Sequence, residues 1–180
     1  MLIDAERSTL FVLDLQTRMI PAIADHEALI QNVLWLTRVA QKIGVPVAAT
    51  EQYPKGLGPL IPAVRKLLEE AAIASKNHFS AVTAQCLAGL PGHDRAQAVI
   101  VGAEAHVCVL QTALEMLEDG KEVYVVADCV GSRRHADRDI ALTRMRDEGI
   151  RVVTREMVAF EWLAVADTAL FRDVNREFLR

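Results

Sequence analysis

Residues 98–127 read AVIVGAEAHVCVLQTALEMLEDGKEVYVVA and hold a complete strand–helix–strand unit. The run Ala98–Ala103 is apolar without alternation, which suits a strand covered on both faces. From Val107 the period changes. Val107, Leu110, Leu114 and Leu117 are spaced three, four and three apart, the stripe of an amphipathic helix. Gly120 follows, where a helix end needs a left-handed residue that glycine supplies without penalty. The next apolar run is Val123–Ala127. Two strands joined by such a crossover helix lie parallel.

The unit recurs on both sides. Further apolar runs are Leu10–Leu15 (LFVLDL), Val45–Thr50 (VPVAAT), Ala71–Ser75 (AAIAS) and Arg151–Thr154 (RVVT). Leu29, Val33, Leu36, Ala40 and Ile43 form a second helical stripe. Leu163, Ala166, Leu170 and Val174 predict a third near the C-terminus. Gly44 and Gly149 precede strands as Gly120 does. Together these predict an α/β fold: a doubly wound, six-stranded, mostly parallel sheet with helices on both faces. The length of 180 residues suits one domain spanning 1–180. The stretch Tyr53–Pro62, with three prolines and two glycines, reads as a shaped loop rather than a linker.

Composition narrows the function classes. Hydrophobic residues make up 52% and charged residues 24%, and the net charge is −4. An acidic chain without a dense basic run is not expected to bind nucleic acid. Cys86, Cys108 and Cys129 are odd in number and lack CxxC spacing, so neither a disulfide framework nor a zinc site is expected. The opening MLIDAER is acidic, unlike a secretory signal, and no apolar stretch approaches the ~20 residues of a membrane span. The expectation is a soluble cytoplasmic protein in a reducing compartment, with no membrane partner.

Ligands of open α/β sheets bind beyond the carboxyl ends of the strands. The reactive residues placed there are Asp14; Glu51, Gln52 and Tyr53; Lys76, Asn77 and His78; Glu104, His106 and Cys108; and Asp128 and Cys129. Cys108 falls at a helix start, where amides and the helix dipole favour a thiolate. From position alone the commoner reading is a small buried residue that packs a helix start. Asp14 interrupts an apolar run, so it is either functional or the cap of a helix beginning near Thr17. Lys76, taken alone, reads as an ordinary lysine at a strand end. As a set, the three offer a base, a cation and a nucleophile beyond three different strands. Cys86, on an expected short helix, and Cys129, at a strand end, read as structural. Trp35 and Trp162 read as core or subunit interface.

Four segments carry a resemblance: LFVLDLQTRMIPAI, TEQYPKGLG, SKNHFSA and VGAEAHVCVLQTALEMLEDGKEVYVVADCVGSR. They resemble the isochorismatase-like cysteine hydrolases, nearest in wording to the isochorismatase domain-containing proteins. The resemblance implies strand order 3-2-1-4-5-6 and a catalytic triad of Asp14, Lys76 and Cys108. It implies a cis peptide between Ala103 and Glu104, and an oxyanion hole from the amides of Glu104 and Cys108. It implies assembly as a dimer or larger homo-oligomer. Gln16, Gln52, Tyr53, His78, Phe79 and His106 are the candidate pocket residues.

Nicotinamidase relatives begin a metal site with Asp-x-His after the second strand. Here that stretch reads Glu51, Gln52, Tyr53, so no metal and no other cofactor is expected. Arg133 and Arg134 read as a solvated loop, so the dianion isochorismate is not the expected substrate. The function implied is hydrolysis of a small amide, ester or related compound through a covalent thioester-type intermediate. The alternative is a non-catalytic member that binds a small molecule or a protein partner. A nucleotide-binding module would need a phosphate loop, which the lone Gly102 does not supply.

Overall fold

A computed structural model describes residues 1–179. Six strands form one sheet: β1 (Ser8–Leu13), β2 (Val47–Gln52), β3 (Ile73–Lys76), β4 (Gln97–Ala103), β5 (Glu122–Gly131) and β6 (Arg151–Val153). Their order is β3-β2-β1-β4-β5-β6 and every pairing is parallel. The main helices are α1 (His26–Ile43), α4 (Leu110–Glu118), α5 (His135–Asp147), α6 (Arg155–Leu163) and α7 (Ala169–Val174). Two short turns of helix, α2 (Pro54–Leu57) and α3 (Pro62–Arg65), lie after β2.

Central strands β1 and β4 are buried at every residue, as their uninterrupted apolar runs require. Two cores result, one on each face. The first packs Val33, Leu36 and Val39 of α1 with Val158 and Trp162 of α6 against Leu10, Val12, Val99 and Val101. The second packs Leu110 and Ala113 of α4 with Leu142 and Met145 of α5 against Phe11, Leu13, Ile100 and Val125.

β2 and β3 run on through Glu51–Gln52 and Lys76, residues that the sequence places beyond those strands. Sequence-based readings fail in four further places, each for a local reason. The stripe Leu163–Val174 is not one helix: α6 stops at Leu163, Ala164 turns to φ 54°, and α7 starts at Ala169, capped by the Thr168 side chain. β5 runs on past Ala127 to Gly131, with its pairing to β4 shifted between Ile100 and Gly102. Asp128 and Cys129 therefore lie inside this strand rather than beyond it. Cys86 sits in an irregular segment and not on a helix. No helix follows Thr17 directly, so Asp14 caps none; the first helical turn is Ile20–Ala22.

The chain winds one way from β1 to β3 and the other way from β4 to β6. Its switch point lies between β1 and β4, the crevice where such sheets bind ligands. Leu13 pairs with Gly102 at that point. A Cβ on Gly102 would stand 2.0 Å from the Leu13 carbonyl oxygen, and its φ is 126°, so only glycine lets the strands close here. At Gly44, φ is 94° but nothing lies within 4 Å of an added Cβ.

Gly102→Ala is therefore expected to lose about 3 kcal/mol or more, from left-handed strain plus overpacking. Gly44→Ala should lose only the strain, about 1–2 kcal/mol. Urea unfolding of both variants checks the difference, and equal losses would refute the close-approach account.

Candidate active site

Asp14 follows β1 with φ 55°, a left-handed geometry that aspartate tolerates better than most side chains. Its amide donates to the Thr50 carbonyl, and its carbonyl accepts from the Gln16 amide. Oδ1 accepts from the Thr50 hydroxyl at 2.7 Å, and Oδ2 meets Lys76 Nζ at 2.7 Å. Neither the Asp14 nor the Lys76 side chain has any exposed surface. Lys76 Nζ also donates to Gln52 Oε1 at 2.7 Å, Phe79 O at 2.9 Å and His78 O at 3.3 Å.

Cys108 lies in a π-helical turn, Ala105–Val109, that leads into α4, and it is 5% exposed. The peptide between Ala103 and Glu104 is cis. Glu104 O accepts from the amides of Val107 and Val109, closing the turn. The thiol pKa is pushed up to about 12, first by burial and next by the Asp14 charge, against the lowering influence of Lys76. This reverses the expected sign. Position at a helix start favours a thiolate, but burial and a neighbouring carboxylate outweigh it.

A cavity of about 320 Å3 opens over this group. Met19, Ala22, Leu57, Phe79 and Val107 form its apolar wall, and Gln52, Glu104, Cys108 and Arg133 supply its polar groups. Phe79 is 52% exposed at the rim.

An isochorismatase domain matches residues 8–157. The chain belongs to the isochorismatase family. Isochorismatase domain-containing protein 2A of Mus musculus is 36% identical over 172 residues, covering 95% of this chain and 82% of that protein. A solved structure described as the MAR1 ribonuclease of Caenorhabditis elegans is 35% identical, with a TM-score of 0.89 over 100% of this chain and 93% of that one. The YcaC gene product of Escherichia coli, described as an octameric hydrolase of unknown specificity, shares the fold. Its TM-score is 0.90 at 24% identity, over 99% of this chain and 91% of that one.

Within this isochorismatase-family site, the candidate pocket residues divide. Gln52 and Phe79 line the Cys108 cavity. Tyr53 and His78 instead line a separate cleft of about 550 Å3 with Lys55 and Asn77; Cys108 does not line it. Gln16 is a buried pin, its Nε2 donating to Gln52 O and Gly58 O and its Oε1 accepting from the Gln52 amide. His106 Nδ1 lies 2.9 Å from Ser132 Oγ.

Glu51 accepts from the Leu60 amide and Arg65, and Asp128 accepts from the Arg155 amide, so both secure loops. Burial raises the thiol pKa of Cys86 and Cys129, and in Cys86 the Lys76 charge works against it. Among the described residues, no group of three or more His, Cys, Asp or Glu side chains converges to hold a metal ion. Nor is any helix among them long and apolar enough to cross a membrane.

Three contributors escaped the sequence reading. Thr50, which holds Asp14, is the β2 partner of Leu13 and was open to detection as a polar residue at a buried strand end. Met19 belongs to the segment after β1, and Arg133 follows β5. The carboxyl-end rule reaches both positions. Arg133 is indeed 63% exposed, as a solvated loop residue should be, yet its guanidinium pairs with Glu104 over the cavity.

Two measurements check this electrostatic account. Iodoacetamide labelling of Cys108 should climb with pH and show no plateau below about pH 10, because the thiol stays protonated. A plateau near neutrality would show a stabilised thiolate instead. Lys76→Met should lose about 3–5 kcal/mol in urea unfolding by stranding a buried carboxylate, and Asp14→Leu added to it should recover much of that loss.

Proposed function

We propose that this chain is a cysteine hydrolase of small amides, esters or related compounds, with Cys108 as nucleophile, Asp14 as base and Lys76 as the fixed cation. One observation carries the reading. A fully buried Asp14–Lys76 pair at 2.7 Å acts electrostatically on a thiol that lines a small-molecule cavity. A buried ion pair is poor value as a stabilising device, and perturbed groups gathered at a cleft mark functional sites.

The chemistry follows from the protonation states. At neutral pH the thiol is neutral, so attack needs a base. Asp14 takes the S–H proton as Cys108 sulfur bonds to the substrate's electrophilic carbon. The amides of Glu104 and Cys108 receive the oxyanion. The bond to the leaving group breaks, and that group departs with the proton from Asp14. Water then gives a proton to Asp14 and its oxygen to the thioester carbon. The C–S bond breaks and the thiol is re-formed. Lys76 holds Asp14 in place through both halves. No step uses a metal or an organic cofactor.

Net charge of −4 and a mainly apolar cavity wall suit a small substrate better than a polyanion such as RNA. Met157, Phe160, Val165 and Leu170 on and between α6 and α7 are exposed, which supports a homo-oligomer. The expected setting remains cytoplasmic. The raised thiol pKa favours one competing reading, a non-catalytic member that binds a small molecule or protein.

Mass spectrometry after mixing with p-nitrophenyl acetate and a panel of small amides separates the two. A transient acyl adduct on Cys108 is expected, absent in Cys108→Ser. Asp14→Asn should slow turnover about 10²–10⁴-fold. Acylation of Cys108 no faster than of Cys86 and Cys129 would establish the binding reading instead.

A further inference from the structure

The last β4–β5 pair is Ala103 with Gly131. Beyond it, the turn that presents Glu104 leaves the sheet, and the hydrogen bonds that tie it to the segment after β5 each involve a side chain. The Glu104 carboxylate is 9% exposed, and all its hydrogen bonds among the described residues come from Arg133. The Arg133 amide reaches Oε2 at 3.2 Å, Nε reaches Oε2 at 3.0 Å and Oε1 at 3.2 Å, and Nη2 reaches Oε1 at 2.9 Å. One residue upstream, Ser132 Oγ meets His106 Nδ1, and the Ser132 carbonyl accepts from the Ala24 amide. The loop after β5 therefore grips the turn on both sides of Ala105.

An ion pair whose guanidinium is largely in solvent contributes little to stability. A forked, multiply bonded one fixes direction well, because the planar guanidinium matches a carboxylate in a single geometry. Glu104 is held at its carbonyl by the Val107 and Val109 amides and at its side chain by Arg133. With both ends fixed, its own amide has little freedom to turn.

We infer that Arg133 is a positioning residue for acyl transfer: its clasp on the Glu104 carboxylate aims the Glu104 amide at the developing oxyanion. The inference rests on the cysteine-hydrolase reading above. Arg133 does not touch the reacting atoms in this role, and Glu104 neutralises its charge. Its effect should therefore appear with a neutral substrate.

Two reagents separate positioning from mere support of the thiol. p-Nitrophenyl acetate places charge on a carbonyl oxygen in its transition state, whereas methyl methanethiosulfonate modifies the same sulfur with no oxyanion on carbon. Arg133→Ala is expected to slow acylation of Cys108 about 10- to 100-fold, short of the 10²–10³-fold typical of deleting a donor outright, with thiolation changed no more than about twofold. Arg133→Lys, which keeps charge without the fork, should fall between. Millimolar guanidinium should restore part of the acylation rate in Arg133→Ala. Glu104→Gln, which keeps the amide and weakens the clasp, should show the same selectivity for the ester.

Wild-type rates of acylation in Arg133→Ala would overturn the inference and leave the hydrolase reading standing. Parallel loss with both reagents, or a misfolded variant that guanidinium does not rescue, would also overturn it, by showing a structural role. Failure of the wild-type protein to acylate at Cys108 would overturn the hydrolase reading, and this inference with it.

Discussion

Asp14 and Lys76 face each other with no solvent on either side chain, and the ends of three strands are arranged around that contact. Asp14 follows β1, Lys76 ends β3, and β2 runs between them. Removing two charges from water costs several kcal/mol per ion, which Coulomb attraction offsets only when the remaining valences are met. β2 meets them, through the Thr50 hydroxyl on the carboxylate and Gln52 Oε1 on the ammonium. The carbonyls of His78 and Phe79 complete the ammonium's surroundings. These last bonds also set the cavity, because the chain that turns back to supply the Phe79 carbonyl carries the Phe79 ring to the rim. The ion pair is thus an electrostatic element of the site and the anchor of one wall.

The same pair decides the state of the thiol. A helix-start cysteine in water would lose its proton more readily than a free one. Here burial and Asp14 act in the opposite direction, and the lowering influence of Lys76 compensates only in part. A resting thiol next to a carboxylate is stable against adventitious oxidants and alkylators, since the thiolate is the reactive form. On the proposed mechanism, reactivity then depends on a substrate that occupies the cavity while the proton moves to Asp14. This couples the nucleophile's activation to binding.

The fold was legible because its signals are local. Apolar runs without alternation, helical stripes and glycines at helix ends repeat through the chain, and Gly44, Gly120 and Gly149 all adopt positive φ. The strand ends were close enough to bring Asp14, Lys76 and Cys108 into one list. What failed depends on distant residues. The stripe from Leu163 to Val174 keeps helical spacing across a real break, because periodicity is blind to a single left-handed residue such as Ala164. Arg133 reads as solvated because its partner is 29 residues away and only the β4–β5 pairing brings them together. The sign of the Cys108 shift was beyond reach for a related reason: the helix start is visible in sequence, but the depth of burial and the direction of a carboxylate are not.

Charge balance around the cavity bears on what it selects. Asp14 is matched by Lys76 and Glu104 by Arg133, so these two ion pairs leave no net charge. A dianion would gain no unpaired cation here and would have to compete with Glu104 for the Arg133 guanidinium. The remaining wall of Met19, Ala22, Leu57, Phe79 and Val107 discriminates by size and shape, and such walls separate similar ligands by only about 1–3 kcal/mol. Selection then falls mainly on the chemistry. On the proposed mechanism, a compound must be small enough for a cavity of about 320 Å3 and must present an electrophilic carbon to the sulfur with its oxygen toward the Glu104 turn. On the same mechanism, a site built this way would accept a range of small neutral acyl groups, because its apolar wall recognises weakly and the reacting geometry is strict.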